Sequence, residues 1–344
     1  MEPFEGGRME DLSVDQYPGM HRYCDTRGIA PLIETLVEKL RLKNQIACEP
    51  ENLLVCAGAT GGLACAVGAM IRPGEEVLIL APFWPLVRGI VQASGGVPIE
   101  VPFYDRVDSA ESAVEAVRAR LSPATVALYV STPSNPTGRV LPESWLVALA
   151  EFAQAEDLWL LSDEVYEDYV YRGSHFSPGC VAPERTVSVY SFSKAYGMAG
   201  NRTGYLVGPR EAVDQARKIG THSFYHAPTA GQLAGLRALA GGGAWQERAR
   251  NSYREASEKA AASLNMPAPE GSTFLFLDVS SSLDERGIPG FLDDCFEDGV
   301  LVAPGESCGQ DYKSWVRLCY TAIPPDQAAE AVKLLAARLR LPPQ

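Results

Sequence analysis

Only four histidines occur in 344 residues, and none belongs to an H-E-x-x-H string, so zinc hydrolysis and the hydrolase nucleophile elbow have little support. The eight cysteines (24, 48, 56, 65, 180, 295, 308 and 319) include no C-x-x-C pair and no Cys/His cluster at metal-ligand spacing. No metal site is therefore expected. Several of these cysteines lie in apolar runs such as "LLVCAG" and "VRLCYT", the pattern of reduced core thiols in a cytoplasmic protein. Basic charge is also short: 30 Lys and Arg against 43 Asp and Glu give a net charge of −13, which argues against nucleic acid or an anionic membrane as partner. No apolar run approaches the roughly 20 residues of a membrane span, and the acidic opening "MEPFEGGRMEDLSVD" does not read as a secretory leader.

What is present is a hydrophobic content of 46%, enough for one large core or two unequal ones. Between about residues 28 and 208 short β-like runs alternate with helical segments, the pattern of an α/β fold on a largely parallel sheet. The runs are "NLLVCAG", "EEVLIL", "GVPIEVPF", "TVALYVST", "LWLLSDE", "TVSVYSF" and "TGYLVG". Helices are predicted over 60–71, 84–94, 109–121 and 142–155. Beyond residue 210 long helical stretches surround two further strands, "STFLFLDV" and "WVRLCYT", suiting a smaller α+β domain. The predicted division is a large domain over 25–245 and a small one from 1–24 plus 246–344.

In such sheets ligands gather at the carboxyl ends of the strands. There the chain places Gly58-Ala59-Thr60, Asn135, Asp163 and Lys194, each after an apolar run. Taken alone, Asp163 and Lys194 read as an ion pair or as solvated loop charges. Their neighbours change the reading: Tyr166 follows Asp163 by three residues, Ser191 precedes Lys194 by three, Arg202 follows it by eight, and "SNPTG" closes the strand before.

"NPTG", "SDEVYEDY" and "SFSKAYGMAGNRTGYLVG", in this order, resemble the fold type I pyridoxal-phosphate enzymes, specifically the class I/II aminotransferase family. The resemblance runs from about Tyr23 to "WVRLCYT". It implies an aspartate aminotransferase-like fold, with a mainly parallel seven-stranded sheet between helices and a smaller α+β domain. It implies pyridoxal 5′-phosphate as cofactor, held on Lys194 as a Schiff base, with the freed lysine moving the substrate proton. Asp163 would face the pyridine nitrogen, and Tyr166 and Asn135 the ring's phenolic oxygen. Arg202, Ser191 and the helix start at Gly58, Ala59 and Thr60 would hold the phosphate. Trp84 would stack on the ring and, with Asn135, border the substrate; Arg317 would clamp the substrate carboxylate.

Tyr23 would reach the phosphate in a partner subunit, which implies a homodimer. The implied reaction is transfer of an amino group from an L-amino acid to a 2-oxo acid. The same residues also serve lyases and specialised amino-acid-modifying enzymes, so side-chain elimination, cyclisation and oxidation stay open. A non-enzymatic effector-binding relative ranks lower, since no basic helix-turn-helix precedes Tyr23. Two departures from the family pattern stand out. Asn201 occupies the place of an aromatic before the phosphate-binding arginine. Only 22 residues precede Tyr23, so the Gly-Pro-rich arm that covers the substrate in relatives is either missing or lies upstream.

Overall fold

The computed structural model describes residues 4–340; residues 1–3 and 341–344 of the expected small domain lie outside the described residues. Seven strands form one sheet: β1 (Leu53–Cys56), β2 (Glu76–Ala81), β3 (Val97–Pro102), β4 (Thr125–Ser131), β5 (Trp159–Asp163), β6 (Thr186–Ser191) and β7 (Gly204–Val207). Their order is β1-β7-β6-β5-β4-β2-β3. Every neighbouring pair is parallel except those of β7, which runs antiparallel to both β1 and β6. The start of β7 therefore lies beside the end of β6, Gly204 opposite Ser191. This brings Arg202, just before β7, to the same sheet edge as the carboxyl ends of the parallel strands.

Near-continuous apolar strands are expected where both faces of a sheet are covered. In β2 the alternation sends Val77, Ile79 and Ala81 into one buried cluster and Leu78 and Leu80 into another. The helix Ala30–Lys43 buries Leu32, Ile33, Leu36, Val37 and Leu40, a stripe at helical spacing. The helix Ala110–Arg118 starts where Ser109 accepts the Ser112 N–H, satisfying one of the donors that a helix start leaves free.

A second sheet carries β8 (Phe274–Asp278), β9 (Ala303–Pro304) and β10 (Trp315–Cys319), all antiparallel, with β10 in the middle. The sequence pattern identifies β8 and β10. It passes over β9, whose two residues are too few to show alternation and end in proline. The predicted domain division at 245/246 falls inside the helix Gly243–Ser263 that leads from the large sheet to the small one.

The amino-terminal segment packs on the large sheet's side. The Phe4 N–H donates to the Tyr196 carbonyl (3.1 Å), and Arg237 donates to the Asp11 carbonyl (2.6 Å). Asn201, the departure noted beside Arg202, is buried and donates its side-chain N–H to the Gly7 carbonyl (2.8 Å). All eight cysteines are free, with Cys48, Cys56, Cys65, Cys295 and Cys308 buried. No helix among the described residues is long and apolar enough to cross a membrane.

Candidate active site

The ends of β1, β4, β5 and β6, the loop after β2 and the face of β10 enclose a cavity of about 300 Å³. Ala59, Thr60, Trp84, Asn135, Asp163, Tyr166, Ser191, Lys194, Arg202 and Arg317 all line it. Ten of the residues singled out from the sequence thus converge on one space. Gly58 stands behind its wall against Arg202.

Asp163 closes β5 and is buried, 4% exposed. Tyr129 donates its hydroxyl to Asp163 Oδ2 (2.7 Å), and the Val165 N–H reaches Oδ1 (3.3 Å). Burial pushes the carboxyl up to about 6, against the pull of the Tyr129 hydroxyl and the Val165 N–H. A cation placed beside this carboxylate from the cavity would relieve that cost.

Lys194 sits in the short helix Phe192–Ala195, which opens where Ser191 Oγ accepts the Ser193 N–H (3.1 Å). Tyr169 donates to the Lys194 carbonyl (2.8 Å) and pins the helix from behind. The side chain itself is open to the cavity. Desolvation by the surrounding walls lowers its pKa; Arg317 and Arg202 push the same way, while Cys319 and Asp163 oppose them. Asp163 and Lys194 form no ion pair, so the simplest reading of their charges does not hold. The shift is in the direction that favours an amine acting as nucleophile or base.

At one end of the cavity Arg202 takes a left-handed backbone (φ 50°, ψ 48°). Its guanidinium donates to the carbonyls of Ala199 (2.9 Å) and Ala57 (3.2 Å) and has no carboxylate partner among the described residues. Gly58 makes room for it: with φ at +74°, a Cβ there would lie 2.4 Å from Arg202 Nη2. Gly204 allows β7 to approach the same turn, since its Cβ would meet the Ala59 nitrogen at 2.6 Å. The helix Gly58–Met70 begins at this point, so free backbone N–H groups and a fork-shaped cation share one end of the cavity. Such an arrangement suits an anion.

From the other side β10 presents Arg317, whose Cζ lies 4.6 Å from the centre of the Phe274 ring and whose Nη1 donates to Asn135 Oδ1 (3.0 Å). It too has no carboxylate partner among the described residues, leaving part of its fork for a ligand. The Tyr166 ring, buried and edge-on to Phe274 (5.9 Å), lies 5.8 Å from Lys194 Nζ. Buried acid, shielded amine, anion site and second free guanidinium all surround one volume. This suits a flat cationic ring with a phosphate at one end and an amino-acid carboxylate beside it.

The sequence pattern described as aminotransferase class I and II matches residues 9–335. The chain belongs to this family. The aspartate/prephenate aminotransferase of Thermus thermophilus is 37% identical over 297 residues, covering 83% of this chain and 76% of that protein. The arginine–pyruvate transaminase of Pseudomonas aeruginosa is 30% identical over 332 residues, 93% of this chain and 84% of its own. Among solved structures, the Thermus thermophilus aspartate aminotransferase with maleate aligns at a TM-score of 0.90 and 33% identity, over 98% of this chain and 89% of that one. The expected aspartate aminotransferase-like fold and the amino-group transfer are therefore established for this aminotransferase.

Of the singled-out site residues, Gly58 stands just behind the cavity wall, and Tyr23 lies away from this aminotransferase's own cavity. It is 83% exposed, with its ring against Tyr225 (5.1 Å) and His226 (5.7 Å). Two participants escape the sequence reading, Tyr129 behind Asp163 and Phe274 beneath Arg317. Alternation in "TVALYVST" places Tyr129 and Ser131 on one face, but only the neighbouring strand shows that this face meets the acid. One G-x-S-x-G string does occur, Gly305–Gly309, between β9 and β10. Its Ser307 lies inside a single 3-10 turn, Gly305–Cys308, that follows the two-residue β9, and its hydroxyl donates to the Pro304 carbonyl (2.8 Å); no α-helix follows the turn as a nucleophile elbow needs.

Proposed function

We propose that this aminotransferase moves the amino group of an L-amino acid to a 2-oxo acid with pyridoxal 5′-phosphate as its cofactor. The observation that carries the reading is the convergence of Lys194, Asp163, Arg202 and Arg317 on one cavity, with neither arginine paired to an acid. The cofactor, when bound, supplies an aldehyde for the amine and a ring that draws electrons from the substrate α-carbon. Arg202, Ser191 and the helix start at Gly58, Ala59 and Thr60 hold its phosphate. Asp163 faces the ring nitrogen, Trp84 stacks on the ring, and Asn135 and Tyr166 bond its phenolic oxygen. Arg317 fixes the substrate carboxylate, and Asn135 holds that arginine in turn. Lys194 takes the proton from the substrate α-carbon and would return it on the far side of the amino nitrogen, at the cofactor carbon joined to that nitrogen.

Adding L-amino acids one at a time to the cofactor-loaded protein, without any oxo acid, tests this. One of them should change the visible absorbance and yield its 2-oxo acid in amounts equal to the protein; free ammonia with an eliminated product would overturn the reading. Arg317→Ala is expected to raise KM for the amino acid about 10- to 100-fold, the effect of losing a charged hydrogen bond, and to leave cofactor retention unchanged. Steady-state kinetics and dialysis separate the two.

The reading extends to the chain's organisation. Residues 25–245 hold the cofactor, and the small domain built on β8, β9 and β10 brings Arg317, while the amino-terminal segment stays with the large sheet. The exposed ring of Tyr23 suits a homodimer in which it reaches the partner's phosphate. Tyr23→Phe should weaken cofactor binding about tenfold with the dimer intact, measured by dialysis and sedimentation. Free cysteines throughout suit a reducing cytoplasm.

A further inference from the structure

Tyr129 lies in β4 two residues before Ser131, and Ser131 is the register partner of Asp163 in β5. It has no exposed surface, and its hydroxyl donates to Asp163 Oδ2 at 2.7 Å, with the Ser131 side chain also against it. A phenylalanine would fill the same space without burying a hydroxyl, so the hydroxyl's contribution lies in this bond. Burial holds the Tyr129 phenol far above the ordinary tyrosine range, and it therefore stays a donor at any working pH.

Asp163 is faced from several elements. Tyr129 comes from β4, Tyr104 from the loop after β3, Glu164 and Tyr166 from the chain that follows β5, and Lys194 from beyond β6. Tyr104 spends its hydroxyl on the Ser131 carbonyl (2.5 Å) and offers Asp163 nothing. Glu164 disfavours the ionised carboxylate; Lys194 favours it, but less than Tyr129 and the Val165 N–H do. Tyr129 is thus the strongest influence keeping charge on a carboxylate that burial would neutralise.

We propose that Tyr129 is a positioning residue for amino-group transfer: by donating to Oδ2 it keeps Asp163 ionised, so that the proton shared with the cofactor's pyridine nitrogen stays on nitrogen. This rests on the reading that the cavity holds pyridoxal phosphate. Without the hydroxyl, the pair keeps its one proton but moves it from nitrogen towards the Asp163 oxygen. The ring then draws electrons less strongly, and Lys194 meets a less acidic α-carbon.

Tyr129→Phe tests the proposal at two levels. In the cofactor-free protein, the carboxyl ¹³C resonance of Asp163 should titrate about one pH unit or more higher in the variant than in the unaltered protein, since a donor to the ionised form is gone. In the loaded protein, the ¹⁵N resonance of labelled pyridoxal phosphate should move towards the unprotonated position, with kcat falling about tenfold or more and KM little changed. An unchanged Asp163 midpoint, or an unchanged ring-nitrogen resonance, overturns the role of Tyr129. Failure of the unaltered protein to bind pyridoxal phosphate would instead overturn the cofactor reading, and the titration of Asp163 would still judge the hydrogen bond. Should the variant not fold, the Tyr129 Cζ resonance of the unaltered protein must shift as Asp163 titrates; a resonance flat across that range removes the bond.

Discussion

Lys194→Ala should fold, keep its association state and lose turnover by about a thousandfold or more, because it removes at once the nucleophile and the group that carries the proton. The side chain is open to the cavity and makes no ion pair, so little packing is lost with it. The short helix that bears it is held by Ser191 and Tyr169, neither of which needs the amine. Added pyridoxal phosphate should still bind, through Arg202 and the helix start, but without the visible band of the unaltered protein and with release on dialysis. Turnover assays and absorbance spectra read both results. Activity at the level of the unaltered chain would remove Lys194 from the reaction.

Asp163→Asn is expected to act in opposite directions on catalysis and on stability. Asparagine keeps the acceptor for Tyr129 but cannot balance a protonated ring nitrogen, so kcat should fall by about a hundredfold or more. In the cofactor-free protein the buried carboxyl sits at about 6, above its ordinary 3.8. Below the lower value both folded and unfolded chains are protonated there, and the group contributes nothing. Between the two values the folded chain binds the proton more tightly, so stability falls as pH rises; above about 6 the full cost remains, on the order of 3 kcal/mol. Thermal melts without cofactor should therefore show the variant more stable than the unaltered protein at pH 8 and equal to it near pH 4. Saturating cofactor should reverse the difference at pH 8. A variant less stable at pH 8 without cofactor would contradict the strained carboxylate.

The sequence was legible where local pattern and local function coincide. Apolar runs bounded by small and polar residues located all seven strands of the large sheet. Asn135, Asp163 and Lys194 stand at strand ends, where ligands gather on such a sheet whatever its order. The direction of β7 was not legible: it follows from a connection of only twelve residues between β6 and β7, shared with the Lys194 helix. Tyr129 stayed hidden for a related reason. Within its own strand it is one more apolar alternate, and it acquires a role only through the strand beside it. Asn201 was noticed as a departure, but its bond to Gly7 spans almost two hundred positions, and no local pattern could announce that.

The cavity wall gathers Lys194, Arg202 and Arg317 against the single acid Asp163, in a chain whose net charge is −13. An approaching anion meets two fields of opposite sign. At distance, the molecule as a whole repels it; within a few ångströms of the mouth, the three cations draw it in. Dissolved salt acts on these unequally, because it damps interactions beyond about 8–10 Å and hardly touches those made inside the cavity. Moderate ionic strength thus removes more of the repulsion than of the attraction, and the encounter step for phosphate-bearing or oxo-acid anions speeds up where a basic protein's would slow.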